Sequence, residues 1–245
     1  SMAGWNRRPP NPWPEGNYSS VADNGCGNCH LPHAAGGPRL LRHEEEEDNC
    51  SACHNGNVAT EDVMSVFNQF SSHPIRSTAR LHDPVEDAVV NSRHVECVDC
   101  HDAHAAGGSF DAVRGVSLAG GEVDRATQPY EVCLRCHGDS PNQPASNTPR
   151  QLSQSNIRLK IQPNNPSFHP VAGPGRNTTV PSLISPLSQL SIIECIDCHN
   201  SSSAASAGGD GPEGPHGSAF SPLLVRNYST LDNTVESAAN YALCY

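Results

Sequence analysis

The chain has 245 residues, of which 36% are hydrophobic and 5% aromatic, with 21 Pro and 20 Gly. Leu, Ile, Val and Phe are too sparse to build an ordinary core over that length, so apolar mass must come from elsewhere, and bound cofactors can supply it. A net charge of −11 with no basic stripe argues against nucleic acid as a partner, and no stretch approaches the ~20 apolar residues of a membrane span.

In chain order, residues 1–25 are a Pro-rich arm, extended over 6–14, and its Ser1-Met2 start fits removal of a leader segment. Cys26-Gly-Asn-Cys29-His30 follows, then His33, and His43 further on. Cys50-Ser-Ala-Cys53-His54 repeats the CxxCH pattern. Thr60 is positioned to cap a helix whose Val63, Val66, Phe67 and Phe70 fall on one face. His73-Pro74, His82 and His94 precede a third motif, Cys97-Val-Asp-Cys100-His101, which is trailed by His104. A helix is expected over 122–137 with Pro129 near its start. It carries the fourth motif, Cys133-Leu-Arg-Cys136-His137. Residues 140–186 read as long loops around an ordered patch at His169-Pro170, with a short strand conceivable at 155–162. The fifth motif is Cys195-Ile-Asp-Cys198-His199. The Ser/Ala/Gly-rich stretch 201–213 reads as a flexible surface loop ahead of His216. A last helix is expected over 234–243, with Val235, Ala238, Ala239 and Ala242 on one side, before Cys244.

These segments repeat. Cys29-His30-Leu-Pro-His33-Ala-Ala-Gly-Gly matches Cys100-His101-Asp-Ala-His104-Ala-Ala-Gly-Gly, and both match Cys198-His199 continued after an insertion by Gly214-Pro-His216-Gly. Cys50–Gly56 matches Cys133–Asp139, and each is followed by a His-Pro pair. The chain therefore divides into the arm 1–25, a unit at 26–96, a second at 97–194, and the remnant of a third at 195–245. Tyr130-Glu-Val-Cys133 also matches Tyr241-Ala-Leu-Cys244, so Cys244 falls where a sixth motif would begin. The alternatives are a free thiol or a disulfide.

Ten of the eleven cysteines sit in five CxxCH motifs, where composition alone gives roughly 0.03. Structural zinc commonly takes two CxxC pairs and needs no His after each, and a redox-active CxxC occurs once. Two thiols spaced by two residues can instead add across the two vinyl groups of a haem, with the next His as proximal ligand to the iron. The reading is five covalently bound haem c, attached at Cys26, Cys29, Cys50, Cys53, Cys97, Cys100, Cys133, Cys136, Cys195 and Cys198. Their proximal ligands are His30, His54, His101, His137 and His199. The repeat singles out five further histidines as distal ligands: His33, His73, His104, His169 and His216. His94, His82 and His43 are reserves, and the counterpart of His94 in the next unit is Ile192. His33 and His104 each follow their own proximal His by three residues, so each should ligate a neighbouring haem and tie two irons together. The expected fold is mostly irregular, with a few short α-helices and little or no sheet, wrapped around a covalent haem chain.

With these motifs and the spaced His-Pro, the chain over 26–245 resembles bacterial multihaem c-type cytochromes with paired CxxCH motifs, including periplasmic and extracellular cytochromes of metal-reducing bacteria. The resemblance implies electron transfer through bis-His haems in a periplasm or at a cell surface. Redox proteins or extracellular electron acceptors are the implied partners, and assembly into a homo-oligomer or filament is possible. The rival is a multihaem reductase of nitrite or hydroxylamine type. That needs an open iron position, often marked by a variant such as CxxCK, whereas all five complete motifs here end in His.

Overall fold

The computed structural model describes residues 18, 20–76, 94–105, 113–140, 143 and 154–245. The arm before residue 18, His82 and much of the 141–153 loop lie outside that set. The helices are α1 (Val21–Asn24), α2 (Glu46–Ser51), α3 (Val63–Val66), α4 (Cys97–Cys100), α5 (Pro129–His137), α6 (Ile157–Lys160) and α7 (Cys195–Cys198). Four two-residue strands, β1 (Ser71–Ser72), β2 (Gly115–Val116), β3 (Glu122–Val123) and β4 (Gly217–Ser218), pair antiparallel as β1–β4 and β2–β3. Most of the remaining described backbone is turns and irregular chain, as the composition leads one to expect. No helix among the described residues is long and apolar enough to cross a membrane.

The chain falls into two compact units. The described part of the first covers 18, 20–76, 94–97 and 199–245, and that of the second covers 98–105, 113–140, 143 and 154–198. The C-terminal segment that carries the third repeat's His216 thus belongs with the first repeat.

In the second unit α5 is the organising element. Pro129 occupies its first turn, where a missing N–H costs nothing. Glu131 reaches back so that Oε2 accepts the backbone N–H groups of Gln128 (3.1 Å) and Thr127 (2.7 Å). That half of a capping box satisfies donors the helix leaves orphaned. Leu134 is 1% exposed, and Val113, Ala126 and Val132 form a small buried cluster with Cys100 against it. Gly115 of β2 lies under Glu131, where a Cβ would come within 2.9 Å of the Glu131 Cβ. The helix is shorter than its periodicity suggested, because Glu122 and Val123 pair with β2 instead. The conceivable strand at 155–162 is α6. Asn156 caps it by accepting the Leu159 N–H at 3.3 Å, and Arg158 forks onto Asp139 at 2.6 and 2.8 Å. Two side-chain anchors there override a weak strand propensity.

In the first unit α3 is capped by Asp62, whose carboxylate accepts the Ser65 N–H at 3.0 Å, and not by Thr60. The helix ends at Val66, which is buried, while Phe70 is 84% exposed. Its apolar stripe is cut short because Gly217 of β4 packs against the Val66 carbonyl, leaving no room for a Cβ, and the chain departs into β1. The helix expected over 234–243 is absent. The segment is turns followed by a 3₁₀ turn at Ala242–Cys244, with Val235 78% exposed. Asn240 and Asn227 side chains donate to the carbonyls of Val235 and Ala239 at 2.8 Å each, taking the bonds a helix would have made. The 201–213 stretch lies partly at the surface, with Ala205, Ser206, Gly208, Gly209 and Asp210 exposed, but it is anchored at both ends. Ser201 and Ala204 are fully buried, and the Glu213 carboxylate gathers Asn200 Nδ2 (2.6 Å), the Ser206 N–H (2.8 Å) and the Ser206 hydroxyl (2.9 Å).

Candidate haem attachment sites

Each CxxCH motif lies on or beside a helical turn. In the first, a 3₁₀ turn at Gly25–Asn28 ends with the His30 N–H on the Cys26 carbonyl at 2.9 Å. In the second, α2 delivers Cys50, and the His54 N–H returns to the Cys50 carbonyl at 3.0 Å. Helices α4 and α7 each run from the first to the second cysteine of their motif, and α5 contains the whole of the fourth. Positions i, i+3 and i+4 of a helical turn share one face, so the local fold presents two thiols and an imidazole together. All eleven cysteines lie among the described residues, and none forms a disulfide.

Within each unit, motifs adjacent in sequence meet through their cysteines. In the first unit the ligand atoms of Glu46, Cys50 and Cys97 lie within 4.8 Å of one another, and Glu46 Oε2 accepts the Cys97 N–H at 3.1 Å. The hydrogen bond with Cys97, and then burial, push the Cys50 thiol far above its ordinary range. Burial raises Cys29 and Cys53 as well, and Cys29 is in electrostatic reach of Cys50 and Cys53. In the second unit the Cys133 thiol donates to the Pro129 carbonyl at 3.7 Å and interacts electrostatically with Cys195. The interaction with Cys195, and then burial, raise the Cys133 thiol, while the same interaction lowers Cys195. Cys100 is in electrostatic reach of Cys133.

The histidines differ in how they are held. His30 Nδ1 bonds the Arg39 carbonyl at 3.2 Å, and His199 Nδ1 bonds the Pro222 carbonyl at 3.0 Å. Arg39 is in the left-handed region at φ 53°, a conformation a non-glycine residue adopts only under local constraint. The 31–42 loop supplies that constraint, closing on the motif through Leu31 N to Leu40 O (2.8 Å) and Arg42 N to Cys29 O (2.9 Å). An imidazole that donates from Nδ1 carries its lone pair on Nε2, the arrangement seen in metal-ligating His. Burial lowers the pKa of His54 and favours its neutral, ligating form.

Of the five repeat-matched distal candidates, the structure brings two together. The His73 N–H donates to the His216 carbonyl at 3.3 Å, and Phe67 packs edge-on against the His216 ring at 5.5 Å. His33, His104 and His169 are exposed. His104 is held by an Asx turn, with Asp102 Oδ1 accepting its backbone N–H at 2.8 Å. Among the reserves, the His94 side chain is buried beside Glu96 at 4.0 Å, and His43 is exposed. The two His-Pro pairs have the same tertiary role. The Pro74 carbonyl accepts the Val95 N–H at 2.9 Å, and the Pro170 carbonyl accepts the Ile193 N–H at 3.0 Å. Val95 and Ile193 each stand two residues ahead of a CxxCH motif. Cys244 is exposed at the end of its 3₁₀ turn, and Tyr241 meets Tyr228 edge-on at 5.7 Å. The carbonyls of Arg39 and Pro222, which fix imidazole tautomers, carry no signature that sequence reading could have caught.

The donor set fits covalent haem. The cysteines are unbridged and share a turn with their His, and the Nδ1 bonds of His30 and His199 leave Nε2 to face an iron. When bound, haem supplies an iron that accepts and returns one electron. The recurring CxxCH turns indicate covalently bound haem c. Residues 19–59 match the family described as the doubled CXXCH motif, which covers the first two motifs. No curated protein and no solved structure matches the chain.

Proposed function

We propose that this chain is an electron carrier with five covalent haems, one on each CxxCH motif, each iron held between two histidines. The observation that carries the reading is the meeting of two successive motifs through their thiols, Cys50 and Cys97 lying within 4.8 Å of each other. Groups attached at such thiols are close neighbours, which is what stepwise electron movement requires. His30, His54, His101, His137 and His199 are the proximal ligands, and His33, His73, His104, His169 and His216 the distal set. Two histidines on an iron leave no open position for a substrate, which favours a carrier over a reductase. Maturation of CxxCH sites and the likeness to periplasmic and extracellular cytochromes support a site of action outside the cytoplasm. Redox proteins or extracellular acceptors would then be the partners.

The test is intact mass under denaturing conditions together with an optical spectrum. The expected result is an excess over the polypeptide of about five haems, on the order of 3 kDa, and a low-spin spectrum unaltered by carbon monoxide after reduction. Zinc, or a bare polypeptide from a haem-competent host, would overturn the reading. Rapid carbon monoxide binding would favour the reductase.

A further inference from the structure

The haem reading leaves open which distal histidine serves which iron, and the first unit contains an arrangement that answers this for one of them. His73 and His199 are 126 positions apart, yet one loop holds both rings. The Pro215 carbonyl accepts from His73 Nδ1 at 2.6 Å, and the Pro222 carbonyl accepts from His199 Nδ1 at 3.0 Å. The loop 215–223 is fastened to the His73 segment at three further points. Ser71 and Ser72 pair with Ser218 and Gly217, the His73 N–H donates to the His216 carbonyl, and the Leu223 N–H donates to Ser71 Oγ at 2.9 Å. Each Nδ1 bond assigns the ring lone pair to Nε2.

We infer that His73 is the distal ligand of the iron whose proximal ligand is His199. The inference rests on the haem reading above. It differs from what chain proximity suggests, since His73 follows the His54 motif by only 19 positions. The loop 215–223 acts as a clamp that presents an imidazole to each side of one iron. Gly217 permits it, because a Cβ there would collide with the Val66 carbonyl and push β4 off β1.

The experiment uses the haem-loaded protein and the variants His73→Gly, His199→Gly and the double variant. Intact mass counts haems, and electron paramagnetic resonance counts high-spin irons. His73→Gly should retain the full haem count and show one high-spin iron, returned to low spin by added imidazole. In the His199→Gly background, whether or not that haem is retained, adding His73→Gly should perturb no second iron. A second perturbed iron in the double variant would overturn the pairing, as would a His73→Gly protein that stays wholly low-spin. A wild-type mass without haem would instead sink the haem reading itself. Should the variants fail to accumulate, nuclear Overhauser contacts in the wild-type holoprotein decide the matter. The His73 ring protons must contact the haem attached at Cys195 and Cys198, and contacts to any other haem refute the pairing.

Discussion

Replacing Glu131 tests how far α5, and with it the Cys133–His137 site, depends on one side chain. Glu131 is 7% exposed, and its Oε2 accepts the Thr127 N–H at 2.7 Å, the Gln128 N–H at 3.1 Å and the Thr127 hydroxyl at 3.2 Å. Glu131→Ala leaves two backbone donors without their acceptor in a partly buried setting, at about 1–3 kcal/mol each. It also removes the cap from the helix, which lies within the same sum, so a total of about 3 kcal/mol is expected. Glu131→Gln keeps the shape and an accepting oxygen and loses only the charge assistance, about 1 kcal/mol. Native-state hydrogen exchange of the haem-loaded protein reads this locally at the amides of 133–138. With about 1.4 kcal/mol per factor of ten, Ala should lower protection about a hundredfold and Gln about fivefold. Equal effects of the two variants, or protection in the Ala variant within threefold of the parent, would refute the argument that this carboxylate holds the helix start.

The 200–214 loop should loosen in acid. Burial alone would raise the Glu213 carboxyl, but hydrogen bonds from Ser206 and Asn200 outweigh it and hold the group below its usual value of 4.5. Stability from a depressed carboxylate is present above the unfolded value and lost as pH falls through the folded one. Exchange at Ser201–Ala204 should therefore rise below about pH 4, and Glu213→Gln should flatten that dependence. Gly217→Ala should unseat β4 from β1 with an overpacking cost of about 1–3 kcal/mol, read as lower thermal stability and lost exchange protection at Ser71 and Ser72. Unchanged protection would show that the contact with Val66 yields easily. Arg158→Lys loses the two-pronged bond to the exposed Asp139 carboxylate, so denaturant titration should register about 1 kcal/mol.

The attachment chemistry was legible in the sequence because it is local. Two cysteines and a histidine at i, i+3 and i+4 need only one helical turn to share a face, and every CxxCH here lies on or beside one. The His-Pro repeat was legible as a pattern, and its tertiary counterpart is the pair of bonds from Val95 to Pro74 and from Ile193 to Pro170. The cap of α3 was missed by two residues, since Thr60 and Asp62 are both competent and only the turn geometry chooses between them.

What the tertiary structure alone decided is set by contacts distant in sequence. Residues 234–243 carry helical periodicity, but a stretch that short has little helical stability of its own without packing, and the Asn227 and Asn240 side chains take its carbonyls instead. The Ser/Ala/Gly run 201–213 looks like a tether by composition, yet it closes on Glu213 because one ionised carboxylate can gather several donors. The partners of the histidines follow the same rule. The sequence by itself determined where two thiols and an imidazole share one turn, through their spacing along the chain. Which imidazoles come together, His73 with the loop that also holds His199, depends on a two-residue strand pair and on two proline carbonyls. Backbone oxygens have no sequence identity, so that choice exists only once the chain has folded.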